Sequence, residues 1–136
     1  MTHTFDTRRS LVIVPVSLAG PRGSDNYEFA VDTAATGCAV SGLVLQQLGY
    51  FESQVQGRRP VRTGGGGITA GQIRVQRFGA FGRIHADYPV LWLPLSPTSR
   101  IDGLGLDFFR GLVLALDFAR GRISLRGPKS WWQLWR

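Results

Sequence analysis

Glycine and proline punctuate this chain too often for long helices to form. Eighteen glycines and seven prolines fall among 136 residues. They cut the apolar residues into short runs bounded by turn signals, which favours β structure over a helical bundle. The first run, Ser10 to Gly20 (SLVIVPVSLAG), is β-branched and apolar and predicts a strand. Pro21 to Asn26 supplies turn chemistry, and Tyr27 to Asp32 (YEFAVD) returns as the partner of a hairpin. Arg58 to Thr63 and Ile68 to Phe81 flank four consecutive glycines, Gly64 to Gly67. In the second arm Ile73, Val75 and, after a slip, Phe78 alternate with Arg74, Gln76 and Arg77, the period of a half-exposed strand. Arg83 to Leu95 predicts another strand, in which Pro89 marks an edge or a bulge. Leu112 to Phe118 and Gly121 to Leu125 predict a closing hairpin. Helices are brief: Ser41 can cap one running to Leu48 with Gly49 as its stop, and Leu104 to Gly111 allows a turn or two. The expectation is an all-β fold of about seven or eight strands, mostly antiparallel, forming a barrel or sandwich with one or two short helices.

The length suits one domain, and 43% hydrophobic against 18% charged residues allows a packed core and argues against disorder. No repeat of 20–50 residues and no dividing linker is visible. No apolar run approaches the ~20 residues that cross a bilayer, and the opening MTHTFDTRRS lacks the basic-then-apolar order of a secretory signal. A single cysteine, Cys38, excludes an internal disulfide framework, so the expected setting is cytoplasmic, away from membranes. With only His3 and His85 beside it, Cys38 reads as a small buried side chain rather than a nucleophile, and neither a structural metal nor a cofactor is expected. The net charge of +7 comes almost wholly from arginine, Lys129 being the one lysine. Those arginines are spread from Arg8 to Arg136, which favours a solvated basic surface over a nucleic-acid reader, while leaving an anionic partner open.

One residue stands out chemically. The apolar run ending in Phe29-Ala30-Val31 delivers Asp32 into a turn of small residues, Thr33-Ala34-Ala35-Thr36, before a second apolar run begins. A carboxylate framed in this way needs a group that shares its proton or donates hydrogen bonds to it. Asp87, Asp102, Asp107 and Asp117 all fall by turns or strand ends and read as structural.

The blocks FAVDTAATGCAVSGLVLQQLG, the glycine-rich hairpin and IDGLGLDFFRGLVLALDFARGRISL, in that order, resemble the retropepsin-like aspartic proteases over roughly Leu11 to Leu125. The resemblance implies a small closed β barrel spanning 11–126, with an N-terminal tail at 1–10 and a tryptophan-rich tail at 127–136. It implies an endopeptidase in which Asp32 is the catalytic residue. A chain of this size carries one Asp-Thr motif, so the second aspartate would come from a second copy, and a homodimer acting on a peptide or protein substrate is implied. Two carboxylates a few Å apart do not both ionise easily, so one can activate water while the other protonates the carbonyl oxygen. By the same resemblance Thr33 would hydrogen-bond across the two-fold axis, Ala34 and Ala35 would line the floor of the site, and Thr36 would tie the loop internally. Gly64, Gly65, Gly66 and Gly67 would form the tip of a mobile flap, and Leu104 and Gly105 would pack beneath the Asp32 loop. The chain departs from the family pattern at Ala34, where glycine is usual, and by one residue in Asp102-Gly103-Leu104-Gly105. Ala34 supports an alternative reading, an inactive member of the fold that binds peptides or dimerises.

Overall fold

A computed structural model describes residues 1–63, 66–94 and 102–128. The strands are β1 (Thr2–Thr4), β2 (Ile13–Gly20), β3 (Gly23–Val31), β4 (Ala39–Ser41), β5 (Gln56–Thr63), β6 (Gly66–Ala80), β7 (Arg83–Leu93), β8 (Asp102–Leu104), β9 (Val113–Asp117) and β10 (Arg122–Arg126). Among the described residues two short α-helices accompany them, α1 (Gly42–Gln47) and α2 (Leu106–Phe109). The strands run β2-β3-β8-β4-β7-β6, and β6 pairs back onto β2 through Ser17↔Gly79, Leu18↔Phe78 and Ala19↔Arg77. This closes a six-stranded barrel, with β5 attached to the outer arm of β6. Closure removes the exposed edges that an open sheet would present. A second sheet, ordered β1-β10-β9, covers one side.

Most pairings are antiparallel, but β8 lies parallel to β3 and β4 lies parallel to β7. These two crossings carry the chain through the centre of the barrel wall. Strands β1, β4 and β8 have three residues each. A segment that short offers no readable alternation, which accounts for ten strands among the described residues where sequence periodicity suggests seven or eight. Segment 1–10, read from sequence as a tail, contributes β1, which pairs antiparallel with β10 through Thr2↔Ser124 and Thr4↔Arg122. Of the tryptophan-rich tail, residues 129–136 lie outside the described residues.

The core follows the alternation. Val14, Val16 and Leu18 of β2 point inward beside Phe29 of β3, Val75 and Phe78 of β6 and Val90 of β7. Ile123 and Leu125 of β10 seal it from the small sheet, burying apolar area at about 25 cal/mol per Å2. The slip in β6 has a physical cause: the Gln76 N–H donates to the Tyr50 hydroxyl at 2.8 Å, and two consecutive side chains, Gln76 and Arg77, then face out. Pro89 sits in β7 opposite Arg74 of β6, before β4 joins at Leu91, so its missing N–H interrupts no second ladder. Ser41 caps α1, its hydroxyl accepting the Val44 N–H at 3.3 Å, and Gly49 turns the chain out at φ 95°.

Candidate active site

Asp32 is the first residue beyond β3, and the parallel neighbour β8 fixes its backbone: its N–H donates to the Leu104 carbonyl at 3.0 Å. The small residues that follow let the chain fold back at once. The Asp32 carbonyl accepts the Ala35 N–H at 3.2 Å, and its carboxylate Oδ1 accepts the Ala34 N–H at 3.1 Å. An anionic oxygen therefore has one backbone donor aimed at it, and the other oxygen has no intrachain donor among the described residues. Asp32, Thr33, Ala34 and Thr36 are exposed and Ala35 is half-buried, so the loop is presented at the surface of the single chain. Ala34 does not adopt the left-handed backbone; among the described non-glycine residues only Phe81 and Asp87 do. The methyl group in place of the usual hydrogen thus brings no backbone strain.

The loop is locked to α2 from below. The first helical N–H groups of α2 have no intrahelical acceptor, and the loop supplies them: Leu106 N–H donates to the Ala35 carbonyl at 2.8 Å and Asp107 N–H to the Thr36 carbonyl at 3.0 Å. Leu104 is fully buried, and Gly105 passes so close to Gly37 that a Cβ would stand 2.5 Å from the Gly37 carbonyl carbon and 3.1 Å from the Ala35 oxygen. Both residues therefore lie beneath the Asp32 loop. Only glycine permits this approach.

Two pairings in this support, Cys38 with Asp107 and Ser41 with Asp102, do not stand out from the sequence. The Cys38 thiol donates to Asp107 Oδ1 at 3.2 Å and its sulfur accepts the Gly105 N–H at 3.4 Å. Burial, and then the neighbouring Asp107 carboxylate, push the thiol well above its ordinary range, so Cys38 is a structural donor and not a nucleophile. Tyr88 places its hydroxyl 3.9 Å from the same sulfur, and burial raises that phenol as well. Asp102, the one buried charged residue among those described, accepts the Ser41 N–H at 2.8 Å and so joins β8 to the start of α1. Burial pushes its carboxyl up to about 6, partly offset by the hydrogen bonds from Ser41. A signal for these pairs exists only in three dimensions, because Cys38 and Asp107 are 69 residues apart and Ser41 and Asp102 are 61.

Of the expected flap tip, Gly64 and Gly65 lie outside the described residues, while Gly66 and Gly67 open β6 and pair with Thr63 and Arg62 of β5. Gly66 and Gly67 thus open the second arm of a β5–β6 hairpin. Among the described residues no group of three or more His, Cys, Asp or Glu side chains is placed to hold a metal ion.

No family model matches the chain, and no curated protein matches it in sequence. The fold does match. The crystal structure of a retropepsin-like aspartic protease from Rickettsia conorii superposes with a TM-score of 0.70 over 93% of this chain and 89% of that chain, at 18% sequence identity. At that identity the likeness concerns the fold: the chain has the retropepsin-like barrel.

Proposed function

We propose that the chain is an aspartic endopeptidase that works as a homodimer, with Asp32 of each copy meeting at the two-fold axis. The observation that carries this reading is the placement of Asp32. It is an exposed carboxylate held by a backbone donor, on a loop clamped to β8 and α2, in a barrel whose fold matches that of a retropepsin-like aspartic protease. A surface loop of this kind gains a second carboxylate most simply through an isologous contact.

In this reading the two aspartates share one proton. The ionised carboxylate takes a proton from water as the water oxygen attacks the scissile carbonyl carbon, and the protonated one gives its proton to the carbonyl oxygen. Collapse of the tetrahedral intermediate breaks the C–N bond, and a proton passes to the departing amine. Thr33 and the loop backbone position the carboxylates, and the β5–β6 hairpin closes over the peptide. No cofactor or metal takes part.

The test is cleavage of an unstructured peptide library between pH 4 and 7 by the natural chain and by Asp32→Asn. Loss of all cleavage with an unchanged thermal transition supports the reading; equal cleavage by both proteins contradicts it. The alternative, an inactive peptide-binding member of the fold, draws on Ala34, and its expected outcome is no cleavage by the natural chain with a gain in Ala34→Gly. The backbone at Ala34 lies outside the left-handed region, which removes strain as a ground for that alternative.

A further inference from the structure

Asp102 opens β8, the short strand that runs beside the Asp32 loop. The parallel register with β3 sets Asp102 beside Phe29, Gly103 beside Ala30 and Leu104 beside Val31. Alternate residues of a strand share a face. Asp102 therefore lies on the same side of β8 as Leu104, which is fully buried, and only 6% of Asp102 is exposed. Gly103 lies on the other side, where a Cβ would stand 4.0 Å from the Asp32 Cβ.

Each of the three residues of β8 is tied to the candidate site or to its support. Asp102 Oδ1 accepts the Ser41 N–H at 2.8 Å, Gly103 passes alongside Asp32, and the Leu104 carbonyl accepts the Asp32 N–H at 3.0 Å. A strand this short makes few ladder bonds, so the bond from Ser41 to Asp102 is a large share of what fixes its register. Any shift of β8 moves the Leu104 carbonyl, and the Asp32 backbone with it.

We propose that Asp102 is a positioning residue for Asp32: by fixing β8 to Ser41 it sets where the Leu104 carbonyl holds the Asp32 backbone. The inference rests on the peptidase reading and assigns a regulation to that same site. A carboxylate on the core side of a strand is disfavoured once it ionises. Burial pushes Asp102 up to about 6, partly offset by the hydrogen bonds from Ser41. Below that pH the neutral group keeps β8 seated; above it the buried charge works against the seat. The elements packed around β8 bring few other charges to Asp102. β4 and α1 carry none. On β3, Asp25 and Glu28 are exposed, Glu28 pairing with Arg9 at 3.7 Å, and burial raises the Tyr27 phenol, which stays neutral. Asp107 of α2 faces the Cys38 thiol instead.

Two measurements test this, one of them independent of cleavage. In the Asp32→Asn protein residue 32 no longer titrates, so its amide resonance reports on its surroundings alone. Between pH 4 and 7 that resonance should shift with a midpoint at about 6, and the shift should disappear when Asp102→Asn is added. A resonance that ignores pH over this range, or a shift that survives Asp102→Asn, overturns the inference. In the cleaving protein Asp102→Asn keeps a side-chain acceptor for the Ser41 N–H and removes the charge. Its kcat should match that of the natural chain near pH 4 and exceed it on the order of fivefold at pH 7, with KM alike in both. Asp102→Ala removes the acceptor and should lower kcat about tenfold across the range, at a temperature where circular dichroism shows the chain folded. A merely structural Asp102 would change the folded fraction and leave the kcat profile of the folded protein unmoved. Superimposable profiles for the natural chain and Asp102→Asn therefore overturn the inference. A residue-32 amide that follows Asp102 in a chain that cleaves no peptide upholds the positioning and defeats the peptidase reading instead.

Discussion

At Asp32 a carboxylate follows closely on the buried Phe29 and Ala30 of β3 yet stays exposed, anchored through its own N–H to Leu104 and through Oδ1 to the Ala34 N–H. Asp32→Asn keeps the shape and removes the base, so cleavage should vanish while the thermal midpoint stays within a few degrees. Ala34→Gly should leave cleavage at or above its natural level and lower stability by about 0.4–1 kcal/mol, because glycine adds freedom to the unfolded chain and the native backbone gains nothing from it. Asp102 gives a pH signature. Burial pushes its carboxyl up to about 6, above the usual carboxylate value of 3.8, so the folded chain holds this proton more tightly than the unfolded one. Its contribution to stability is therefore full below pH ~4 and is lost as pH rises through about 6, a difference on the order of 3 kcal/mol. The substitution Asp102→Asn keeps a side-chain acceptor for the Ser41 N–H and removes the titration. The difference in urea stability between that variant and the natural chain should therefore grow from pH 4 to pH 7 in favour of the variant. A constant difference across that range would contradict the assignment.

At the scale of elements, the loop–α2 clamp depends on the close pass of Gly105 against Gly37. Gly105→Ala must displace backbone and should cost about 1–3 kcal/mol, read as a lower urea midpoint. Much of this architecture is legible in the sequence. The β2–β3 hairpin, the alternation in β6, the Ser41 cap, the Gly49 stop and the β9–β10 hairpin each rest on local rules and each is present, although β3 begins at Gly23, inside the segment Pro21 to Asn26 that the sequence assigns to the turn. The short strands β4 and β8 are not legible, because their parallel partners β7 and β3 are distant in sequence and three residues carry no period. For the candidate site, Asp32 and its small-residue turn are visible as a motif. The carboxylate–thiol contact beneath the loop is not, since Cys38 and Asp107 meet only once β8 has crossed between β3 and β4. The β5–β6 hairpin offers its own check: the Gly66 and Gly67 amides should gain protection from hydrogen exchange when a peptide-like inhibitor binds, and unchanged rates would make the hairpin a passive turn.

For the whole molecule, the barrel closes on itself, but the proposed chemistry needs two carboxylates and the chain brings one such loop. The proposal thus makes the dimer part of the active site, in which neither copy can act alone. Mixing resolves this directly. Natural chain and Asp32→Asn chain are unfolded together in equal amounts, refolded, and assayed for peptide cleavage against the natural chain refolded alone at the same total concentration. If every active site needs one Asp32 from each copy, only dimers of two natural chains cleave, and activity falls to about one quarter under random assortment. Activity of about one half, the value for chains that act independently, would contradict a shared site at the two-fold axis.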